Sequence, residues 1–440
     1  MNRKIIVLFA SLVVLSLLLG GCAQPAPEEV ATTVPEEQEQ EEQQVVTINW
    51  IEWWEKPYTA EVLDDMLIAG FEAENPNIKV ERTDVPWSSM YDNLVTNAQS
   101  DVANYDVLGM EISWMVGLDK LGGIEPLDGY IAAADKEWLD DRLDGSYVKW
   151  LGDTKMLHWY MFPYAIAYNV DMLESEGVDP PTNWDEFAEA VCALRDETED
   201  RYGFSMSLGQ ANNVTWKLIA LRVVQNGGRM LDENGRAVFN SPEGVEAVQY
   251  WKDMFDSGCV VPGSFSETGA QTREFFSTGK IAMINDGPFI GGLAKAVDPD
   301  IKVAYAPAFS DKTGGYFWAG SGLAIASNSQ HKEEAWKFIE YLLRGDNCVE
   351  LTKIRSVPYS TASAFASLEE SDDPILKEIP AMLYQDEDHN EYMVPFPEMG
   401  NLQDVLMQEV QKALAGEKDI QDALDTAAAE WNETIDAVAK

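Results

Sequence analysis

Apolar and polar positions alternate from Val46 to Trp50, which predicts a strand. Val62, Leu63, Met66, Leu67 and Phe71 then fall on one helical face. Asn75-Pro76-Asn77 ends that helix, and Ile78-Lys79-Val80 reads as a second strand. Tyr91, Leu94, Val95 and Ala98 mark another helix, followed by a strand from Asp106 to Met110. A β-α-β-α-β run of this kind predicts a parallel sheet with right-handed crossovers.

The pattern then restarts. Asn183 and Glu186 form a capping pair ahead of Trp184, Phe187, Val191 and Leu194. Tyr202 to Ser207 reads as a strand and Thr215 to Gln225 as a helix. Asn234-Gly235 between two apolar triplets signals a hairpin turn. Ser241-Pro242-Glu243 starts a helix with proline in its first turn. Ile281 to Asn285, Ile301 to Ala306 and Phe317 to Ala326 are further strands. Helices follow at Ala335 to Leu342, Leu402 to Ala415 and Ile420 to Val438.

The first residues have a different pattern. Arg3 and Lys4 precede an apolar run from Ile5 to Leu19, long enough for an export signal and short for a membrane span. Leu19-Gly20-Gly21-Cys22 resembles the lipobox of bacterial lipoproteins, with Cys22 as the lipid acceptor. Residues 22–44 carry prolines, glutamates and glutamines without basic residues or apolar periodicity, which predicts a solvated tether.

Charge narrows the partners. The net charge is −45, and loss of Arg3 and Lys4 with the signal makes it −47. That argues against nucleic acid and anionic membrane surfaces as partners. Cys192, Cys259 and Cys348 allow at most one bridge. Cys192 is expected in the core of its helix, which leaves a Cys259–Cys348 bridge open. His158, His331 and His389 lack metal-ligand spacing, and neither a GxSxG elbow nor a complete Walker or dinucleotide glycine pattern is present. No cofactor and no metal is expected.

Aromatic side chains at strand ends carry the positive signal. Trp53 and Trp54 follow the first strand, beside Glu55. Trp87 and Tyr91 follow the second, and Glu111, Ser113 and Trp114 the third. Asp286 and Phe289 flank the turn after Asn285, and Trp318 lies at the chain's return. Open α/β sheets bind ligands outside the carboxyl ends of their strands. Flat rings beside carboxylates suit the C–H face and hydroxyls of a sugar.

Several segments in order resemble the family 1 extracellular solute-binding proteins of ATP-binding-cassette (ABC) importers, the group of maltose-binding protein. They are Phe71 to Val80, Asp106-Val107-Leu108 with Trp114, Phe162-Pro163-Tyr164 to Asn169, Thr182 to Phe187, Phe276 to Met283, Gly320 to Ile325, Glu334 to Ile339 and Val410 to Gly416. The resemblance implies an α/β, two-lobe periplasmic-binding-protein-like fold of type II. Each lobe would be a mostly parallel sheet flanked by helices, with the ligand cleft between them. Residues 1–21 would be the signal peptide, 45–163 plus 315–345 the first lobe, and 164–314 plus 346–440 the second. The resemblance also implies Glu55, Glu111, Ser113 and Trp114 as ligand residues of one lobe. Tyr164, Asn213, Asp286, Phe289 and Arg355 would be those of the other. The family's maltose binders stack a tryptophan shortly after a Pro-x-Met step, whereas Pro397-Glu398-Met399 is followed here by Gly400-Asn401-Leu402-Gln403, which weighs against maltose itself. The implied function is a non-enzymatic, monomeric, lipid-anchored component on the extracytoplasmic face of the bacterial cell membrane. It would deliver a sugar to an ABC permease. A polyol or sugar phosphate is the alternative ligand, and a carbohydrate-active hydrolase the alternative class.

Overall fold

A computed structural model describes residues 45–53, 64–209, 213–307, 309, 311–384, 387–392 and 399–438. The signal, Cys22 and the tether, with Trp54 and Glu55, lie outside the described residues. The strands in chain order are β1 (Val46–Glu52), β2 (Ile78–Asp84), β3 (Val107–Glu111), β4 (Tyr147–Trp150), β5 (Asp153–Pro163), β6 (Ala165–Asn169), β7 (Tyr202–Phe204), β8 (Ile281–Asp286), β9 (Val303–Tyr305), β10 (Phe317–Ile325) and β11 (Glu391–Tyr392). They form two sheets. One runs β2-β1-β3-β10-β5-β4 with β11 on β10, and the other runs β7-β8-β6-β9.

The parallel sheet expected from the opening alternation is present as the β2-β1-β3 edge, with Val46 opposite Ile78 and Ile51 opposite Leu108. The rest is mixed rather than mostly parallel. β10 runs antiparallel to β3 and β5, and β6 runs antiparallel to β8 and β9. The strands β4, β5 and β6 escape a pattern-based reading. Met156 to Pro163 is buried on both faces, so its sequence is a continuous apolar run without period.

Each sheet has a core built around a tryptophan. Trp50 packs edge-on against Trp159 at 5.6 Å and Phe338 at 5.3 Å. Trp184 does the same against Trp251 at 5.4 Å and Phe309 at 5.0 Å. Local signals in the sequence hold these elements. The Asn183 side chain accepts the Glu186 N–H at 2.9 Å, and Ser241 caps the Pro242–Asp256 helix by accepting from Gly244. Asp232 accepts from Asn234 and Arg236 to close the Asn234-Gly235 turn, and Val238 donates to the Met230 carbonyl across it.

The chain passes between the sheets where β5 ends at Pro163 and β6 begins at Ala165, with Tyr164 between. The Tyr164 N–H donates to the Phe317 carbonyl at 3.0 Å, so this crossing is bonded to the return strand β10. The Gly345–Arg355 helix and the residues after it pack back toward β5. Tyr359 bridges Tyr160, and Ser363 bonds Asp141.

The cysteine pairing differs from expectation. Cys192 and Cys259 form the disulfide, and Cys348 is free and buried. Cys192 sits at the exposed end of the Trp184–Ala193 helix, with its Cα 4.9 Å from that of Cys259. Cys348 lies inside the Gly345–Arg355 helix, its thiol pushed up to about 12 by burial.

Candidate functional site

The register of the first sheet brings a polar row to one face. Ile51 opposite Leu108 places Glu52 beside Gly109, and Glu111 lies two residues further along the same face. Glu111 pairs with Ser321, Ser321 with Tyr160, and Tyr160 with Tyr359. Glu52, Glu111, Ser321, Tyr160 and Tyr359 therefore share one side of the sheet. Glycine at position 109 makes the space for Glu52, because an added Cβ would stand 2.3 Å from the Glu52 Oε2. Glu52 accepts the Trp53 N–H at 3.0 Å and is buried. Burial pushes its carboxyl up to about 7, against the opposing pull of the Trp53 N–H and Arg355. Arg355 donates to the Tyr359 hydroxyl at 2.9 Å and lies 5.1 Å from the Tyr160 ring centre.

Next to this row the strand ends gather rings. Trp114, in the short turn after β3, lies 5.7 Å from Trp53, 5.4 Å from Trp87 and 5.9 Å from Tyr91. The three tryptophans are half-buried and Tyr91 is 37 % exposed. The residues that supply them follow β1, β2 and β3, so the parallel register alone converges them on one patch.

The other sheet contributes a set of charges. Lys217, on the Asn213–Gln225 helix, donates to the Tyr164 hydroxyl at 2.9 Å and lies 3.6 Å from Glu111 Oε1. Asp286, at the end of β8, is fully buried and accepts two hydrogen bonds from Arg273 at 2.6 and 3.1 Å. Arg273 also covers the Phe289 ring at 5.0 Å, and Phe162 meets Phe289 at 5.4 Å and Tyr164 at 5.6 Å. Ser205, Ser207, Thr272, Asn285 and Asp286 line a small pocket on this sheet. The buried Asn285 amide has no partner among the described residues, and a water there would satisfy it.

Of the residues expected from sequence, Trp53, Trp87 and Trp114 come together, with Ser113 buried beside Trp114. Glu111, Tyr164, Asp286 and Phe289 meet at the junction of the sheets. Arg355 reaches the first sheet's polar row. Trp318 is fully buried opposite Pro163, and the Asn213 side chain lies outside the described residues. Sequence reasoning passed over Glu52, Lys217, Arg273 and Phe162. Lys217 carried a signal, as a lone cation within Trp216-Lys217-Leu218-Ile219-Ala220-Leu221. Arg273, on an ordinary amphipathic helix, carried none.

The described residues hold no cluster of three or more side chains suited to a metal. None of the described helices is long and apolar enough to cross a membrane. Residues 51–346 match the family described as bacterial extracellular solute-binding protein. A binding protein of Brucella abortus is 28% identical over 300 residues, 66% of this chain and 69% of that protein. The arabinooligosaccharide-binding protein of Bacillus subtilis is 24% identical over 277 residues, 60% of this chain and 61% of that protein. Among solved structures, an ABC transporter solute-binding protein from Thermotoga lettingae bound with α-D-tagatose superposes with a TM-score of 0.78 at 24% identity. The match covers 89% of this chain and all of that one.

Proposed function

The chain belongs to the bacterial extracellular solute-binding proteins, and from that premise we propose that it captures a sugar, mono- or oligosaccharide, between two lobes and delivers it to an ABC importer. The half-exposed patch of Trp53, Trp87, Trp114 and Tyr91 carries this reading, because rings gathered edge-on and tilted at the surface offer apolar faces of the kind a pyranose or furanose covers. The charges support a neutral ligand. Lys217 faces Glu111 and Arg273 is held by Asp286. The sugar-binding relatives support a neutral sugar as the ligand.

Ligand contacts to both lobes exist together only when the lobes approach, so binding shifts the population toward the closed form. The Gly20-Gly21-Cys22 step supports lipid anchoring outside the cell membrane, with residues 22–44 as the tether of a monomer.

A thermal-shift panel of mono- and oligosaccharides tests the reading. A binder gains about 2.7 kcal/mol at a hundredfold excess of ligand over Kd. Trp114→Ala is expected to weaken the best ligand by about 1 kcal/mol or more. Unchanged affinity in that variant, or sustained release of reducing ends by the wild type, refutes the assignment.

A further inference from the structure

Four large apolar side chains stand in water at one end of the first sheet. Leu151 is 85% exposed, Val45 55%, Val102 50% and Leu121 44%. Val45 precedes β1, Val102 lies in the connection entering β3, and Leu151 is the tip of the β4–β5 hairpin. β3 and β5 both run antiparallel to β10, so they start at the same end. Leu121 joins them there, because the Ser327 N–H, just after β10, donates to the Gly123 carbonyl, and Lys155 of β5 pairs with Asp119 at 3.0 Å. The ring patch of Trp53, Trp87 and Trp114 stands at the opposite end, where β1, β2 and β3 finish. Of the other exposed large apolar side chains among the described residues, Tyr91 belongs to that patch and Val297 ends a helix of the other half. Leu151 is unfavourable twice over. Its φ of 52° is left-handed, a conformation that glycine or asparagine adopts more readily, and its side chain meets only solvent. Trp150 beside it is half-buried. The exposed Lys149 and Lys120 adjoin Trp150 and Leu121, and offset the exposed Asp101 and Asp153.

We propose that this end of the first sheet faces lipid, with the Leu151 tip and its apolar neighbours resting in the headgroup layer of a bilayer without net charge. The residue types match that layer. Leucine and valine sink below the headgroups, the Trp150 indole sits at the boundary, and the lysine stems let their ammonium groups reach back to the phosphates. The occupant follows from where the chain enters the fold. Residues 22–44, the proposed tether, join it at Val45, so a lipid on Cys22 would tie this end to the bilayer and leave the ring patch on the far side. A second copy fits less well, because two chains of net charge −45 repel each other. The inference rests on the lipid-anchoring reading and adds to it an orientation, with the ligand site turned away from the membrane during capture.

The test places the full lipidated chain on phosphatidylcholine vesicles that carry a nitroxide lipid. An environment-sensitive dye is attached to Leu151→Cys, to Leu121→Cys, or to Ala429→Cys, which is exposed on the Ile420–Val438 helix of the other half. The dye is expected to shift to the blue and to be quenched by the nitroxide at 151 and 121, and to do neither at 429. Leu151→Asn, added to the Leu121→Cys chain, is expected to abolish the response at 121 without loss of stability, since asparagine tolerates the left-handed turn. Equal responses at all three positions overturn the proposal, and so does the absence of a response at 151 and 121. A response at 151 and 121 that rises with protein concentration in the absence of vesicles also overturns it, and assigns this end to a second copy. Failure of the wild type to float with the vesicles overturns the anchoring reading itself, and that is decided before any dye is read.

Discussion

Replacing Glu52 with glutamine is expected to stabilise the protein in alkaline solution and to do little in acid. Burial in the niche over Gly109 lifts the folded-state pKa of Glu52 to about 7, against 4.5 for the exposed group. The folded protein therefore keeps a proton that the unfolded chain releases first. Below pH 4.5 both states are protonated and no penalty exists. As pH rises from 4.5 to about 7, wild-type stability falls, and above that window the whole penalty applies. Each pKa unit is worth about 1.4 kcal/mol, so the full penalty is about 3 kcal/mol. Glutamine escapes it, and its carbonyl can still accept the Trp53 N–H. Urea unfolding followed by tryptophan fluorescence, at pH steps from 4 to 8.5, measures the difference between the two proteins. The gap should open from near zero to about 3 kcal/mol in favour of Glu52→Gln. If Arg355 instead holds Glu52 ionised, glutamine loses stability at pH 8. That sign, or a gap that does not change with pH, refutes the reasoning.

Two further outcomes concern stability alone. Cys259→Ser opens a bridge between residues 67 apart in sequence, and loop-closure entropy puts the loss at about 4 kcal/mol in urea unfolding. Wild type treated with dithiothreitol should match the variant. Gly244→Ala places a Cβ 1.8 Å from the Phe239 carbonyl oxygen, so the start of the Pro242–Asp256 helix must shift. A loss of about 1–3 kcal/mol is expected in the same assay, and a neutral result would show that this helix end is loose.

Periodicity made legible the elements with one buried face. The β1 to β3 run and the capped helices at Asn183 and Ser241 follow from local pattern, and so does the gathering of Trp53, Trp87 and Trp114 at neighbouring strand ends. Strands β5 and β6 were illegible because burial on both faces erases alternation, and β4 is only four residues long. The polar row from Glu52 to Tyr359 was hidden for another reason. It depends on the register of antiparallel β10 between β3 and β5, a pairing far apart in sequence. The disulfide partner of Cys192 likewise depends on two turns meeting in space, which spacing alone does not encode.

Both sulfurs of the Cys192–Cys259 bond belong to the half built on β7-β8-β6-β9. That bond therefore ties down one half of the molecule and touches neither the first sheet nor the crossing at Tyr164. Reduction would make that half easier to denature and leave the parallel edge of the first sheet as it is.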